Sequence, residues 1–314
     1  MADRVMVLRY GELVEGAPTR VMLSNPQQAY TKSLWSVRSL RKEEEPRAEE
    51  KLLRVDSVDA RYGPLKVLHG VSLGVARGRT VAVVGESGSG KSTLARVITG
   101  LLPAASGSVS FDGEVLPTRL KDRPKALLKR IQMIYQMSDT ALNPRRKVRD
   151  ILGRPLEFHL GLTGAARHRR IVDLLKMIER DERFLERFPA ELSGGQKQRI
   201  CIARALAVDP ELIICDEITS ALDQLVAEEI LKLLLRLQKE LGVSYLYITH
   251  DLATVKAIAD DIVVMHQGRV VESGRKSEVL TPPHHAYTEL LLSSVPELDP
   301  DWLDGILAKR PATD

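Results

Sequence analysis

The sequence predicts an α/β fold organised around a phosphate-binding loop, and three observations lead there. Gly85-Glu86-Ser87-Gly88-Ser89-Gly90-Lys91-Ser92-Thr93 has the spacing G-x-x-x-x-G-K-S. The apolar run Thr80-Val81-Ala82-Val83-Val84 before it reads as a buried strand, and residues 94–98 after it read as the opening turns of a helix. Two later runs, Leu212-Ile213-Ile214-Cys215 and Ser244-Tyr245-Leu246-Tyr247-Ile248, have the short, continuous apolar form of strands buried on both faces of a sheet. In such a loop the glycines let the backbone curl, so that successive N–H groups point at a phosphate. The helix N-terminus adds a partial positive charge of about +0.5. Lys91 can reach the β- and γ-phosphates, and the Ser92 hydroxyl can ligate Mg²⁺. A Gly/Ser-rich linker with a chance lysine is the competing reading, and the flanking strand and helix argue against it. The loop therefore implies binding of a nucleoside triphosphate.

Composition narrows the field. The chain has 314 residues, 44% of them hydrophobic, enough for one large domain or two modest ones. The net charge of +4 is a small excess of 46 basic over 42 acidic residues, and only 4% of residues are aromatic. With no basic block interleaved with aromatics, nucleic-acid binding is not expected. Cys201 and Cys215 sit in apolar surroundings without C-x-x-C spacing, which suggests reduced, buried thiols rather than a disulfide or metal site. No apolar run approaches the ~20 residues that span a bilayer, and no signal-type segment follows Met1, so membrane contact is expected only through a partner.

In chain order, residues 1–40 repeat a later segment. Residues 2–15 lie without gaps on residues 259–272, and residues 25–31 lie on 282–288, at a constant offset of 257. About a dozen positions are identical, including the pairs Gly11/Gly268, Glu15/Glu272 and Tyr30/Tyr287. Each copy reads as a strand, a turn at the glycine, a second strand and a short helix. The first copy is expected to be the tail remnant of an upstream copy of the same domain. Residues 41–51, of mixed charge and with Pro46, read as a solvated linker.

The main domain is expected over 52–300, followed by a tail at 301–314. Residues 52–58, 67–75 and 108–111 alternate as strands, the last closed by the Asp112-Gly113 turn. Between about 122 and 192 the pattern turns helical, at 126–131, 148–159, 165–178 and 182–188, and reads as a helical insertion. Gln224–Leu241 then forms an amphipathic helix suited to packing on the sheet.

Two further motifs carry chemistry. Leu192-Ser193-Gly194-Gly195-Gln196 precedes a helix expected over 197–208 and offers a second anion site, with an ordinary helix cap as the alternative. Asp216 and Glu217 end an apolar strand on alternate faces. Asp216 is placed to bind Mg²⁺ and Glu217 to polarise an attacking water, unless both are plain strand-end acids.

With these motifs in this order, nearly the whole chain resembles the nucleotide-binding subunits of ABC transporters. The resemblance implies an ABC-type P-loop NTPase fold with an antiparallel β subdomain and a helical subdomain. Gly85 to Ser92 match Walker A, with Thr93 following; Leu192, Ser193, Gly194, Gly195 and Gln196 match the signature; Leu212 to Asp216 match Walker B. It further implies that Tyr62 stacks on adenine, that Gln136 is the Q-loop glutamine touching Mg²⁺, that Ser220-Ala221-Leu222-Asp223 is the D-loop, and that His250 contacts the γ-phosphate. Catalysis would rest on Glu217 and His250, and the metal on Ser92, Gln136 and Asp216. ATP and Mg²⁺ are the implied cofactors. Each ATP would lie between Walker A of one domain and the signature of another, supplied by a homodimer or a fused tandem copy. A finer resemblance, to dipeptide/oligopeptide importer ATPases, rests on Leu142-Asn143-Pro144-Arg145 and on the tail from His285 to Leu291. It implies integral-membrane permease subunits, an extracytoplasmic solute-binding protein acting indirectly, and a place at the cytoplasmic face of the inner membrane. Departures from the family pattern are Ala286 for proline, Ile218 for proline, Met137 for aspartate, and no C-terminal cysteine cluster. The alternatives are a carbon–phosphorus lyase ATPase, a non-transport ABC ATPase, and an inactive fragment.

Overall fold

The computed structural model describes residues 2–36, 40–46 and 50–293; the expected tail at 301–314 lies outside them. The chain opens with β1 (Arg4–Arg9), β2 (Glu12–Pro18), α1 (Thr19–Ser24) and α2 (Ala29–Ser36). It continues with β3 (Lys51–Tyr62), β4 (Leu65–Ala76), β5 (Thr80–Val84), α3 (Lys91–Thr99), β6 (Ser106–Phe111) and β7 (Glu114–Val115). Next come α4 (Lys125–Arg130), β8 (Ile131–Ile134), α5 (Ser138–Ala141), α6 (Val148–Leu160), α7 (Gly164–Met177) and α8 (Gly194–Leu206). The remainder is β9 (Leu212–Asp216), α9 (Gln224–Leu241), β10 (Ser244–Ile248), α10 (Leu252–Ile258), β11 (Asp261–His266), β12 (Arg269–Arg275), α11 (Lys276–Val279) and α12 (Ala286–Ser293).

The central sheet has the order β12-β11-β5-β10-β9-β8, parallel except for the last hairpin. Every residue of β5, β9 and β10 is buried, as their unbroken apolar sequences require of strands covered on both faces. A second, antiparallel sheet, β4-β3-β6-β7, packs over α3, with Val55, Val71, Val81, Leu94 and Ile98 in one core between the sheets. The helices α6 to α9 share another core with the opposite face of the central sheet, where Leu152, Leu174, Ile202 and Leu234 are fully buried. This layering sets the end of β5, and with it the P-loop, beside the ends of β9 and β10.

Three boundaries differ from expectation. The helix expected over 126–131 ends at Arg130, and Ile131 begins the edge strand β8, so the insertion expected over about 122–192 is interrupted by one strand of the main sheet. A run this short carries too few residues for its period to be told from a helix. The helix expected from Lys197 begins at Gly194, with Ser193 as its cap, so the signature glycines are its first turn. Part of the charged stretch expected to be solvated is docked. Lys42 pairs with Asp260 at 2.6 Å, Glu44 accepts from the Ser277 backbone and hydroxyl, and Glu45 pairs with Arg79.

The repeated segments have matching structures. β1, β2 and α2 correspond to β11, β12 and α12 at the same offset of 257, ends included. Both hairpins shift register at equivalent positions, Val7/Leu8 and Val264/Met265. Glu15 accepts from the Gln28 backbone N–H as Glu272 does from that of His285, and the Asp3 carbonyl accepts from Thr19 as that of Asp260 does from Lys276.

Candidate functional site

The loop after β5 owes its path to close approaches. Gly85 has a φ of +149°, and a side chain there would meet the Met265 carbonyl oxygen at 2.1 Å. Gly90, at φ +102°, caps α3 from the left-handed region that glycine enters freely. Lys91 is folded into the loop, its Nζ donating to the carbonyls of Gly85 and Glu86, each at 2.8 Å. Burial lowers its pKa, against the opposing pull of Glu217, Asp216 and Glu86. Thr93 continues α3, and the Ser89 hydroxyl lies 3.4 Å from the Lys91 ammonium. The Ser87 and Gly88 positions form the outward turn of the loop.

The acids of β9 meet this loop. The Ser92 hydroxyl donates to Asp216 Oδ1 at 3.1 Å. Burial pushes the Asp216 carboxyl up, an effect that the Ser92 hydrogen bond partly offsets. A hydroxyl beside a partly desolvated carboxylate is a hard oxygen pair, the chemistry Mg²⁺ takes together with phosphate oxygens. Glu217, next along, holds a φ of +48° while its N–H donates to the Ile248 carbonyl at 2.9 Å. This strained backbone turns the carboxylate into the cleft. There Glu217 accepts from Gln136 Nε2 at 2.9 Å, and His250 Nδ1 lies 3.4 Å away. Gln136, Glu217, His250, Asp216, Ser92 and Lys91, far apart in sequence, are thus brought together.

The other expected residues are placed differently. Tyr62 ends β3, and its hydroxyl accepts from Arg96 of α3 at 2.9 Å. Ser193 caps α8, accepting from the Gln196 N–H at 3.3 Å while its own N–H donates to Gln196 Oε1 at 3.1 Å, a reciprocal capping box. Ser193 and Gly194 are nevertheless exposed. A side chain on Gly195 would meet Val226 of α9 at 2.4 Å, so this glycine is fixed by packing. Asp223, at the end of the D-loop, caps α9 by accepting from the Val226 N–H.

The P-loop also has supports that sequence reasoning missed. The Tyr287 hydroxyl accepts from the Glu86 N–H at 3.0 Å, and its ring stacks on His266 with centroids 4.0 Å apart. His266 Nε2 in turn lies 3.4 Å from Glu86 Oε1, and the Gly268 N–H donates to the Ser89 carbonyl at 3.0 Å. The signal was the internal repeat, which keeps the glycine and the tyrosine at positions 11 and 30.

A P-loop, a Walker B acid pair and a capped signature helix with an exposed N-terminus on this sheet define an ATP-binding cassette. A family model described as "ABC transporter" matches residues 68–220, and one described as "Oligopeptide/dipeptide transporter, C-terminal region" matches residues 271–313. The dipeptide transport ATP-binding protein DppF of Escherichia coli (strain K12) is 42% identical over 237 residues, which cover 76% of this chain and 71% of that protein. The oligopeptide transport ATP-binding protein OppF of Bacillus subtilis (strain 168) is 44% identical over 260 residues, 81% of this chain and 85% of that one. Among solved structures, cbiO1 from Clostridium perfringens aligns with a TM-score of 0.67 at 31% identity, covering 74% of this chain and 91% of that one. The cassette MJ0796 bound to ADP and Pi aligns at 0.62 and 32%, covering 71% and 98%. The chain belongs to the ATP-binding proteins of ABC transporters, a family of ATPases.

Proposed function

We propose that this chain hydrolyses ATP to energise uptake of peptides or a related small solute, as the ATPase subunit of an importer at the cytoplasmic face of the membrane. The transport names of its relatives and the match of residues 271–313 support import over carbon–phosphorus lyase or non-transport work. The observation that carries the reading is Glu217, held between Gln136 and His250 next to the Ser92–Asp216 pair.

In this reading the loop N–H groups and Lys91 hold the β- and γ-phosphates, with Tyr62 against the adenine. Ser92, Asp216 and Gln136 would hold Mg²⁺, which offsets phosphate charge when bound. Glu217 accepts a proton from the attacking water, and His250 orients the γ-phosphate. Ser193, Gly194, Gly195 and Gln196 complete the site of a second cassette, a reading supported by the exposure of Ser193 and Gly194 at a helix N-terminus. A groove lined by Asn143, Arg146, Ile151 and Phe158, near the exposed Met137 that follows Gln136, suits a permease segment.

Glu217→Gln tests the reading. Loss of a positioned general base costs roughly 10²–10⁴-fold in rate. Phosphate release should fall by that order while MgATP affinity stays near wild type. Turnover at the wild-type rate would remove Glu217 from the mechanism.

A further inference from the structure

The second copy of the repeated unit has a defined job. β11 adds in parallel to β5, pairing residues 261–264 with 81–84, and its far edge is closed by β12. Val263 and Met265 point into the inter-sheet core and are 4% and 0% exposed. The Asp260 carboxylate accepts from the Thr80 N–H at 2.8 Å, at the start of the P-loop strand. Met265 and Gly268 bear on the loop backbone, and Tyr287 binds the Glu86 N–H.

The first copy keeps the hairpin, the turn glycine and the tyrosine of this device, and among the described residues no strand lies against its free edge. β1 pairs only with β2 among the described residues. Met6 and Leu8, the counterparts of Val263 and Met265, are 70% and 59% exposed. The other face of the unit is filled, with Val7 and Met22 buried as Val264 and Val279 are. Gly11 keeps the positive φ of Gly268, yet a side chain there would meet no atom within 4 Å, where one on Gly268 would strike the Val67 carbonyl at 2.0 Å. Arg9 lies over the Tyr30 ring at 4.8 Å, as His266 lies over Tyr287. A strand edge, an apolar stripe and a tyrosine are left together on one surface, with the geometry that the second copy uses against a P-loop.

We propose that residues 2–36 are the closing hairpin of a second ATP-binding core, which pairs its own P-loop strand in parallel with Arg4 to Val7. Asp3, Leu8, Gly11 and Tyr30 then take the parts that Asp260, Met265, Gly268 and Tyr287 play in the resident cassette. The occupant is a core whose own sheet stops short of this hairpin. A complete second copy of the chain does not fit, because its β5 already lies between β10 and β11. The proposal rests on reading the resident loop as a P-loop, and it adds that the chain supplies the P-loop buttress of two nucleotide sites. This is a case of strand addition at an open edge.

The test is a fusion in which residues 41–258 of this chain are placed directly before Ala2, so that Ala2 and Asp3 succeed Ile258 as Ala259 and Asp260 do. Amide hydrogen exchange is read at residues 4–7. The proposal predicts strong protection of these amides in the fusion, relative to the unfused chain, and two bound nucleotides per polypeptide against one. Met6→Asp with Leu8→Asp, harmless in the unfused chain because both side chains face solvent, should abolish the protection and return the count to one. A full cassette, residues 41–314, fused at the same point should leave residues 4–7 unprotected. Unchanged exchange at residues 4–7 in the first fusion would overturn the proposal, as would protection that survives the double substitution. Exchange does not depend on nucleotide, so failure of the ATP-binding reading would show separately, as an unfused chain that binds none.

Discussion

At the scale of single residues, the loop supplies its own lysine with acceptors. Lys91 satisfies its ammonium on the loop's own carbonyls and is 4% exposed, so its charge is held inside the loop. Hydrogen bonds to a charged partner are worth about 1.5–3 kcal/mol. Lys91→Ala should therefore weaken MgATP roughly ten- to hundredfold in a calorimetric titration, and unchanged affinity would dismiss the P-loop assignment. Lys91, Ser92, Asp216 and Glu217 were legible in the sequence because their motifs are local. Tyr287 and His266 were not, because their meaning lies in a hairpin that returns to the loop from far along the chain.

At the scale of elements, strands and capped helices follow from apolar runs and local side-chain chemistry. Asp223 ends the D-loop and starts α9, whose bounds, Gln224–Leu241, the sequence pattern matched residue for residue. β8 escaped notice because four residues carry no resolvable period, and its strand character comes from pairing with β9. The two hairpins allow a controlled comparison. Gly11→Ala should cost only the left-handed backbone penalty of about 1–2 kcal/mol. Gly268→Ala must also clear the Val67 carbonyl, so its thermal midpoint should fall further than that of Gly11→Ala; equal falls would count against the close packing of β12 on β4. In the antiparallel sheet, Asp59 joins β3 to β4 and β6 by accepting from Lys66, Ser106 and the Gly70 N–H. The Lys66 bond, followed by those from Ser106 and Gly70, lowers its carboxyl to about 2 from 3.8. Because the folded value is depressed, its stabilisation is full above the unfolded value and fades as pH falls toward 2. Asp59→Asn should thus be less stable than wild type at neutral pH, with the gap closing in acid; a gap that is constant with pH would exclude the ionic account.

At the scale of the molecule, a parallel sheet under an antiparallel sheet and a helical layer gathers Gln136, Glu217 and His250 around one loop, while Ser193 and Gly194 stay exposed at the start of α8. The order of motifs made this architecture legible. Composition alone could not, since a near-neutral chain with few aromatics fits many α/β enzymes. No helix among the described residues is long and apolar enough to cross a membrane. The central claim is that the P-loop is half of a site and that a second cassette provides the rest. Phosphate release per chain, followed across a wide range of protein concentration with saturating MgATP, tests it most directly. The account predicts specific activity that rises with concentration and then levels as paired cassettes form. Activity per chain that is constant across the whole range would contradict a shared site, and none at any concentration would contradict the ATPase reading itself.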